Sequence, residues 1–503
     1  MDPHDQSDGN DGTQEGHSSG GAGAAVTVGE LLAALDAAHA GARLRGDGSA
    51  SAVPLRSVTH DSRRVGPGTL FCCVVGEHAD GHDFAAQAVA AGAVALLVQR
   101  DLDTDGPLRS VPQIVVDDVR AAMATAAVEV YRHPAERLRT VGVTGTNGKT
   151  TVVSAVAHVL SAAGRRVEAI GTLTGARTTP EAPDLQARLA DLVSAGVTDV
   201  AMEVSSHALS LHRVDGVVFD VAVFTNLGQD HLDFHGTPES YFAAKAQLFE
   251  AGRSRRGIVD VDDVHGRLLV DSAPPGHPMV AVSVADAEPV TSTVTGSRFR
   301  WRGRSVSCPL PGRHNVANAL LAAEACAALG VEEDSIVAAL EDLPVVPGRF
   351  ERVDAGQDFG VVVDYAHTPD ALEAVLVAAR ELGSGRVLVV FGCGGDRDAT
   401  KRPRMGAVAS EHADVVVLTT DNPRSEDPLR ILEAVRSGCS GDPLVEPDRR
   451  AAIAVALGSA RPGDVVVIAG KGHEQGQEVA GVVTPFDDRV VAAELLASTE
   501  GPS

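Results

Sequence analysis

The sequence predicts an α/β protein of three units, with a nucleotide-phosphate loop on the middle one. Three observations predict it. The 503 residues exceed what one compact core holds. Short Val-rich runs alternate with helical stretches along most of the chain, the pattern of parallel sheets. A glycine-bounded turn joins one such run to a helix near residue 145.

Residues 1–24 are Gly, Ser, Asp and His with almost nothing to bury, so a disordered tail is expected there. The first unit is assigned to 25–135. Residues 69–75 and 93–98 read as its strands, and 84–91 and 121–131 as its helices. The second unit, 136–345, opens with a strand at 140–144 and a helix at 149–163, followed by strands at 199–204 and 218–224. Residues 291–307 alternate large apolar with polar residues around Arg302-Gly303, which predicts a hairpin appended to the sheet. Helices at 314–329 and 334–343 close the unit, and Pro344 with Pro347-Gly348 marks a hinge. The third unit, 346–503, has Val-rich strands at 360–364, 386–391, 414–419 and 464–469, as expected of strands buried on both faces.

Lys and Arg number 43 against 68 Asp and Glu, a formal charge of -25. Such a surface repels nucleic acid and anionic membranes, so phosphate binding has to be local. The six cysteines (Cys72, Cys73, Cys308, Cys326, Cys393 and Cys439) form no C-x-x-C pair, which argues against zinc and for reduced, buried thiols. Neither a signal peptide nor an apolar run of membrane-spanning length is found, so a cytoplasmic protein is expected.

Gly145-Thr146-Asn147-Gly148-Lys149-Thr150-Thr151 lies between the strand and the helix. Glycines let successive N–H groups face phosphate oxygens, and the helix N-terminus adds a positive dipole end. Lys149 is placed on the β- and γ-phosphates and the Thr150 hydroxyl on Mg²⁺. Val143 stands where the strict G-x-x-x-x-G-K-[ST] pattern has its first glycine. Glu203, at the carboxyl end of the 199–204 strand, is where a Mg²⁺ ligand belongs. The next strand ends in the polar cluster Asp230, His231, Asp233 and His235. Lys245, by pattern alone, reads as a solvated helix lysine.

Gly145 to Thr151, Met202 to His207, Asp230 to His235 and the Lys245 helix resemble the Mur ligases, relatives of folylpolyglutamate synthase. The resemblance runs on through Gly312-Arg-His-Asn315, Pro347-Gly-Arg349 and Val363-Asp364-Tyr-Ala-His367. It implies a small UDP-binding N-terminal domain, a central ATPase and a Rossmann-like C-terminal domain. It also implies that Lys245 is carbamylated and joins Glu203 and His231 as a metal ligand. Asn315, Arg349 and Asp364 become nucleotide contacts, and His207 a local acid–base or a support for the ligands.

Within the family, Ser62, Thr178, Thr179, Ser205 and Arg213 match contacts to a UDP-linked muramoyl dipeptide, whereas Leu211 departs from a glutamine that some members carry. Asp421-Asn422-Pro423-Arg424 matches the motif of the branch that adds meso-diaminopimelate, and Arg397, Gly470 and Glu474 match its amino-acid pocket. Diaminopimelate differs from lysine by one carboxylate, which a planar guanidinium reads bidentately. The resemblance therefore implies an ATP-dependent ligase acting on small molecules, with L-lysine as the rival substrate; a monomer is expected. Folylpolyglutamate synthase, a D-Ala-D-Ala-adding ligase and a regulatory phosphate-loop switch account for fewer of these residues.

Overall fold

The computed structural model describes residues 25–76, 79–102, 106–293 and 295–499. The tail expected at 1–24 lies outside the described residues. Three sheets of five or six strands follow one another along the chain. The first has five strands: β1 (Arg43–Arg45), β2 (Ser57–Thr59), β3 (Thr69–Cys72), β4 (Ala93–Val98) and β5 (Gln113–Val115), in the order β1-β5-β4-β3-β2. Helices α1 (Val28–Ala37) and α2 (Val119–Val130) cover one face through Leu31, Leu35, Ala122 and Met123. The helix expected at 84–91 divides, because Asp80 caps a 3₁₀ turn at Gly81–Phe84 and the α-helix runs from Ala85 to Ala91.

The central sheet is wholly parallel: β6 (Arg139–Thr144), β7 (Val167–Ile170), β8 (Asp199–Glu203), β9 (Val221–Phe224), β10 (Gly257–Asp260) and β11 (Met279–Val282), in the order β11-β10-β9-β6-β8-β7. Successive residues of a strand point to opposite faces. Val141, Val143 and Ala201 thus pack against α3 (Lys149–Ala162) and α6 (Arg313–Ala328). Val200, Met202, Ala222 and Phe224 pack on the other side with Leu185 and Leu189 of α4 (Ala182–Ser194). Each such buried Val or Leu contributes about 1.5–3 kcal/mol relative to exposure. The strand expected from 218 begins at Val221, because the side chain of Asp220 accepts from the Thr140 amide (2.8 Å) ahead of the ladder.

The expected hairpin is a separate three-stranded ribbon: β12 (Thr291–Thr293), β13 (Gly296–Trp301) and β14 (Arg304–Cys308). It makes no ladder with the central sheet among the described residues, so the expectation of an appended hairpin is corrected. Arg302 and Gly303 both take positive φ (47° and 80°), the geometry of a two-residue hairpin turn. The ribbon docks instead through side chains, with Phe299, Trp301 and Val306 in the core beneath α6.

The third sheet comprises β15 (Glu351–Arg352), β16 (Gly360–Asp364), β17 (Val387–Phe391), β18 (Val415–Leu418), β19 (Leu444–Val445) and β20 (Val465–Ala469). Their order is β15-β16-β20-β17-β18-β19, and only β15 is antiparallel. At its carboxyl edge Arg449 and Asp488 form a fully buried ion pair (2.7 Å). Arg449 also donates to the carbonyls of Thr420 and Ala469, tying together the ends of β18 and β20. A final ribbon, β21 (Gly476–Val479) and β22 (Val482–Pro485), folds over that edge. No described helix is long and apolar enough to cross a membrane.

Candidate active site

Strand β6 runs directly into the phosphate loop, and two glycines there meet steric requirements no other residue satisfies. A Cβ on Gly145 (φ +145°) would stand 1.9 Å from Thr225 Oγ1, and one on Gly148 (φ +85°) 2.4 Å from Asn318 Oδ1. The loop is braced from the end of β9. The Thr146 and Asn147 amides donate to the carbonyl and side chain of Asn226 (both 2.9 Å), and Thr225 Oγ1 donates to Asn147 O (2.6 Å). Lys149 folds back to donate to Gly145 O (2.9 Å) and Thr146 O (2.8 Å), its charge disfavoured by burial. Thr151 is buried in the first turn of α3.

Thr150 Oγ1 donates to Glu203 Oε1 (3.1 Å) and accepts from Arg349 (3.0 Å), so this arginine just before the third sheet reaches the central one. Glu203, 2% exposed, also accepts from the Thr172 amide (2.9 Å). His207 and His231 meet edge to face at 4.8 Å. Burial holds both neutral, pushing His231 down to about 3 and lowering His207. Lys245 is 1% exposed rather than solvated, which corrects the reading by pattern alone. Its Nζ donates to Gly145 O (2.8 Å) above the Tyr241 ring, and burial, then the nearby Lys149 charge, lowers its pKa well below the usual lysine value.

Among the described residues no three His, Cys, Asp or Glu side chains gather as a metal site. Of the four ligands expected for Mg²⁺, only Glu203 and His231 are of those types. The donors nonetheless suit a hard cation: a hydroxyl touching a carboxylate, a neutral imidazole and an amine able to become a carbamate.

Between the central and third sheets lies a cavity of about 380 Å³, lined by Gly148, Thr151, Asn315, Asn318, Arg349 and Asp364 among others. Arg349 stacks on Tyr365 (4.5 Å). The Asp364 oxygens are both taken by backbone amides, those of Phe350 (2.6 Å) and Ala366 (2.7 Å), so this aspartate fixes the hinge as well as lining the cavity. Asp230 spans the same gap, lying 3.4 Å from both Lys401 and His367. The Lys401 partnership left no mark in the sequence.

On the side facing the first unit, Thr179 Oγ1 donates to the Glu203 carbonyl (2.9 Å) and accepts from the Ser205 amide (3.1 Å). Thr178 bonds Thr172 (3.1 Å), and Arg213 donates to Thr179 O (3.3 Å). Leu211 follows the short helix of His207. Ser62 sits in a 3₁₀ turn whose Arg64 pairs with Asp184 of α4 (2.5 Å). Sequence reading missed Glu181, buried and ion-paired with both Arg177 (2.6 Å) and Arg213 (2.8 Å). Its position beside Thr178-Thr179-Pro180 was the available signal.

At the third sheet's edge the loops after β18 and β20 interlock. Asn422 Nδ2 donates to Glu474 Oε2 (2.8 Å), and Gly470 (φ +112°) leaves room for Asp421, whose Oδ2 would lie 3.2 Å from a Cβ there. Arg424, after Pro423, donates to Gly395 O (2.6 Å) and has backbone bonds to Glu478 and Ala480 of the final ribbon. Arg397 is exposed, with Gly394 between it and Arg424. Lys471, which lies within the Gly470-to-Glu474 run expected at this pocket but was given no role of its own, is fully buried among these groups.

Three family models match the chain: the Mur ligase family catalytic domain over residues 54–134, the Mur ligase middle domain over 143–326 and the Mur ligase glutamate ligase domain over 348–472. A UDP-N-acetylmuramoyl-L-alanyl-D-glutamate–2,6-diaminopimelate ligase of Streptomyces coelicolor is 47% identical over 481 residues, covering 90% of this chain and 94% of its own. The enzyme of that name from Geobacillus kaustophilus is 46% identical over 460 residues, covering 86% and 93%. A solved structure of a ligase of that name superposes with a TM-score of 0.66 at 33% identity, covering 95% of this chain and 99% of its own. The MurF ligase of Thermotoga maritima in complex with ADP shares the fold, with a TM-score of 0.60 at 19% identity over 88% of this chain and 96% of its own.

Proposed function

The chain belongs to the Mur ligase family, and from that premise we propose how its residues carry the reaction. It is an ATP-dependent ligase that joins meso-2,6-diaminopimelate to the D-glutamate of UDP-N-acetylmuramoyl-L-Ala-D-Glu, a step of peptidoglycan precursor synthesis. The observation that carries the residue assignment is the interlock, through Asn422 and Glu474, of the Asp421-to-Arg424 loop with the Gly470-to-Glu474 loop, which brings a guanidinium-bearing and a carboxylate-bearing loop to one sheet edge. Lysine would leave that guanidinium unused.

The γ-phosphoryl group of ATP passes to the D-glutamate carboxylate, giving an acyl phosphate and ADP. The amine of diaminopimelate then attacks the acyl carbon, the C–O bond to phosphate breaks, and the amine's proton leaves with solvent or phosphate. Catalysis of this kind is positioning and charge stabilisation, with no protein nucleophile. Gly145 to Thr151 cradle the phosphates, and Lys149 turns from its loop carbonyls to the β- and γ-oxygens. Asn315, Arg349 and Asp364 border the nucleotide in the cavity between the domains. Mg²⁺, when bound, neutralises phosphate oxygens; Thr150, Glu203, His231 and Lys245 as its carbamate would hold it. His207 orients His231 through their edge contact. Ser62, Thr178, Thr179, Ser205 and Arg213 hold the muramoyl dipeptide. Arg397 and Arg424 take the extra carboxylate of diaminopimelate, and Glu474 its distal ammonium.

In this reading the domains span 25–135, 136–345 and 346–503, and the enzyme works as a cytoplasmic monomer. The test is phosphate release from ATP with UDP-N-acetylmuramoyl-L-Ala-D-Glu and, in turn, meso-diaminopimelate, L-lysine or D-Ala-D-Ala. Release with diaminopimelate alone is expected; release with lysine instead would overturn the assignment to Arg424.

A further inference from the structure

Lys471 is completely buried, an unusual place for a lysine unless its charge is matched. Its Nζ lies 3.1 Å from Asn422 Oδ1, 3.1 Å from Glu474 Oε2 and 3.5 Å from Asp421 Oδ1. An ammonium has three N–H donors, and here three acceptors on two separate loops surround it. Two of its donors are taken by hydrogen bonds to Asn422 and Glu474, and Asp421 stands at ion-pair distance.

Two consequences follow. Asn422 Oδ1 accepts from both Lys471 and the Glu478 amide (3.0 Å), so the amide's NH₂ end must face Glu474. Lys471 thereby sets the hydrogen-bond polarity of the D-N-P-R loop. The second consequence is charge. Asp421 and Glu474 are two carboxylates, and Asp421 Oδ1 is buried with no hydrogen bond. The other nearby cation, Arg449, is already held bidentately by Asp488 (both 2.7 Å). Lys471 therefore cancels one of the two negative charges at the inner end of the pocket, while Arg424 and the exposed Arg397 flank Gly394 at the other end.

Resting on the function proposed above, we infer that Lys471 is a positioning and specificity-determining residue. It keeps the amino-acid pocket balanced for a side chain that ends in an ammonium and a carboxylate together. Without its charge, two uncompensated carboxylates repel the substrate carboxylate and favour a bare cation such as lysine.

The test is steady-state phosphate release by the full chain, comparing wild type, Lys471→Met and the double variant Lys471→Met/Asp421→Asn. Each is assayed with meso-diaminopimelate and with L-lysine at saturating ATP and UDP-N-acetylmuramoyl-L-Ala-D-Glu, and ATP is then varied at saturating diaminopimelate. In Lys471→Met the ratio of kcat/KM for diaminopimelate over lysine falls about 10-fold or more, as expected when a buried charge loses its partner. The KM for ATP stays within about 2-fold, because the nucleotide lies elsewhere. The double variant, which removes one carboxylate and keeps Glu474, recovers about 5-fold of the ratio or more. An unchanged ratio, a parallel rise in the KM for ATP, or a double variant no better than the single overturns the inference. If Lys471→Met does not fold, the double variant decides: a ratio within about 5-fold of wild type supports the inference and a collapsed ratio overturns it. Wild type that prefers lysine overturns the proposed function together with this inference. Wild type that prefers diaminopimelate, with a variant that prefers it equally, overturns this inference alone.

Discussion

Lys149 and Lys245 donate to the same acceptor, the carbonyl oxygen of Gly145, at 2.9 and 2.8 Å. Two ammonium groups on one buried oxygen repel each other, and burial disfavours both charges. The two need not share the cost. Lys149 has a second carbonyl acceptor, Thr146 O, which favours its charged form over that of Lys245. Lys245 shares Gly145 O and has the Tyr241 ring beside it, and burial, then the Lys149 charge, holds its pKa well below the usual lysine value.

A neutral buried amine is the form that adds CO₂, with one proton released per carbamate formed. Lys245 is therefore expected to show a carbamate resonance by ¹³C NMR after equilibration with ¹³C-bicarbonate, and Lys245→Ala to lack it. Loss of one charge-stabilising group of this kind lowers kcat by about 10²–10³-fold. A Lys245→Ala enzyme with wild-type kcat would remove Lys245 from the machinery.

Arg424 is held by its backbone to the final ribbon and by one guanidinium nitrogen to Gly395 O, while its Nε lies a loose 3.7 Å from Glu478. That leaves part of the fork for a substrate carboxylate. Arg424→Ala should raise the KM for diaminopimelate about 10- to 100-fold, the loss of one or two charged hydrogen bonds, and leave the KM for ATP unchanged. Initial-rate kinetics with each substrate varied separately would decide it.

Much of this was legible in the sequence because its signals are local. Gly145, Gly148 and Lys149 fall within five residues between a Val-rich run and a helix, and Asp421 to Arg424 are consecutive. The runs at 387–391 and 465–469 read as strands buried on both faces because nearly every residue is Val, Leu or Ile. What escaped is long-range. Asp230 and Lys401 meet across the gap between two domains, 171 residues apart. Lys471 gains its importance from Asp421 and Asn422 on another loop. The hairpin expected at 291–307 forms around Arg302-Gly303, but its attachment to the central sheet does not, because alternation fixes which face is apolar and says nothing of whether the edge pairs with the sheet or stays free.

Asp260, at the end of β10, supplies a pH dependence away from the chemistry. Burial, with Asp262 and Asp263 close by, raises its pKa from 3.8 to about 6. The sign follows from linkage: the stabilising contribution is complete below pH 3.8 and is lost as pH rises through about 6. At neutral pH the folded protein thus carries a disfavoured buried carboxylate. Asp260→Asn is expected to raise stability at pH 7.5 by about 1–3 kcal/mol and to flatten its pH dependence between roughly 4 and 6. Thermal unfolding across that range checks both, and an Asn variant less stable than wild type at pH 7.5 would contradict the assignment.

The segment at Gly348, proposed as a hinge, and the loop proposed to hold the amino acid share a contact that separates coupled from independent effects. Gly348 has φ +64°, and a Cβ there would lie 2.1 Å from the His473 amide nitrogen and 2.2 Å from the Gly472 carbonyl carbon. These are backbone atoms of the loop that carries Lys471 and Glu474, so they cannot swing aside as a side-chain tip would. The next residue, Arg349, stacks on Tyr365 and donates to Thr150 at the phosphate loop. Gly348→Ala must therefore move the pocket loop, the arginine, or both. The left-handed φ alone costs about 1 kcal/mol, and the overlap adds to it. The expected outcome is a lower Tm together with increases in KM for ATP and for diaminopimelate, in contrast to Arg424→Ala, which moves only the second. A Gly348→Ala enzyme that is destabilised yet binds both substrates normally would show that hinge and pocket are mechanically separate.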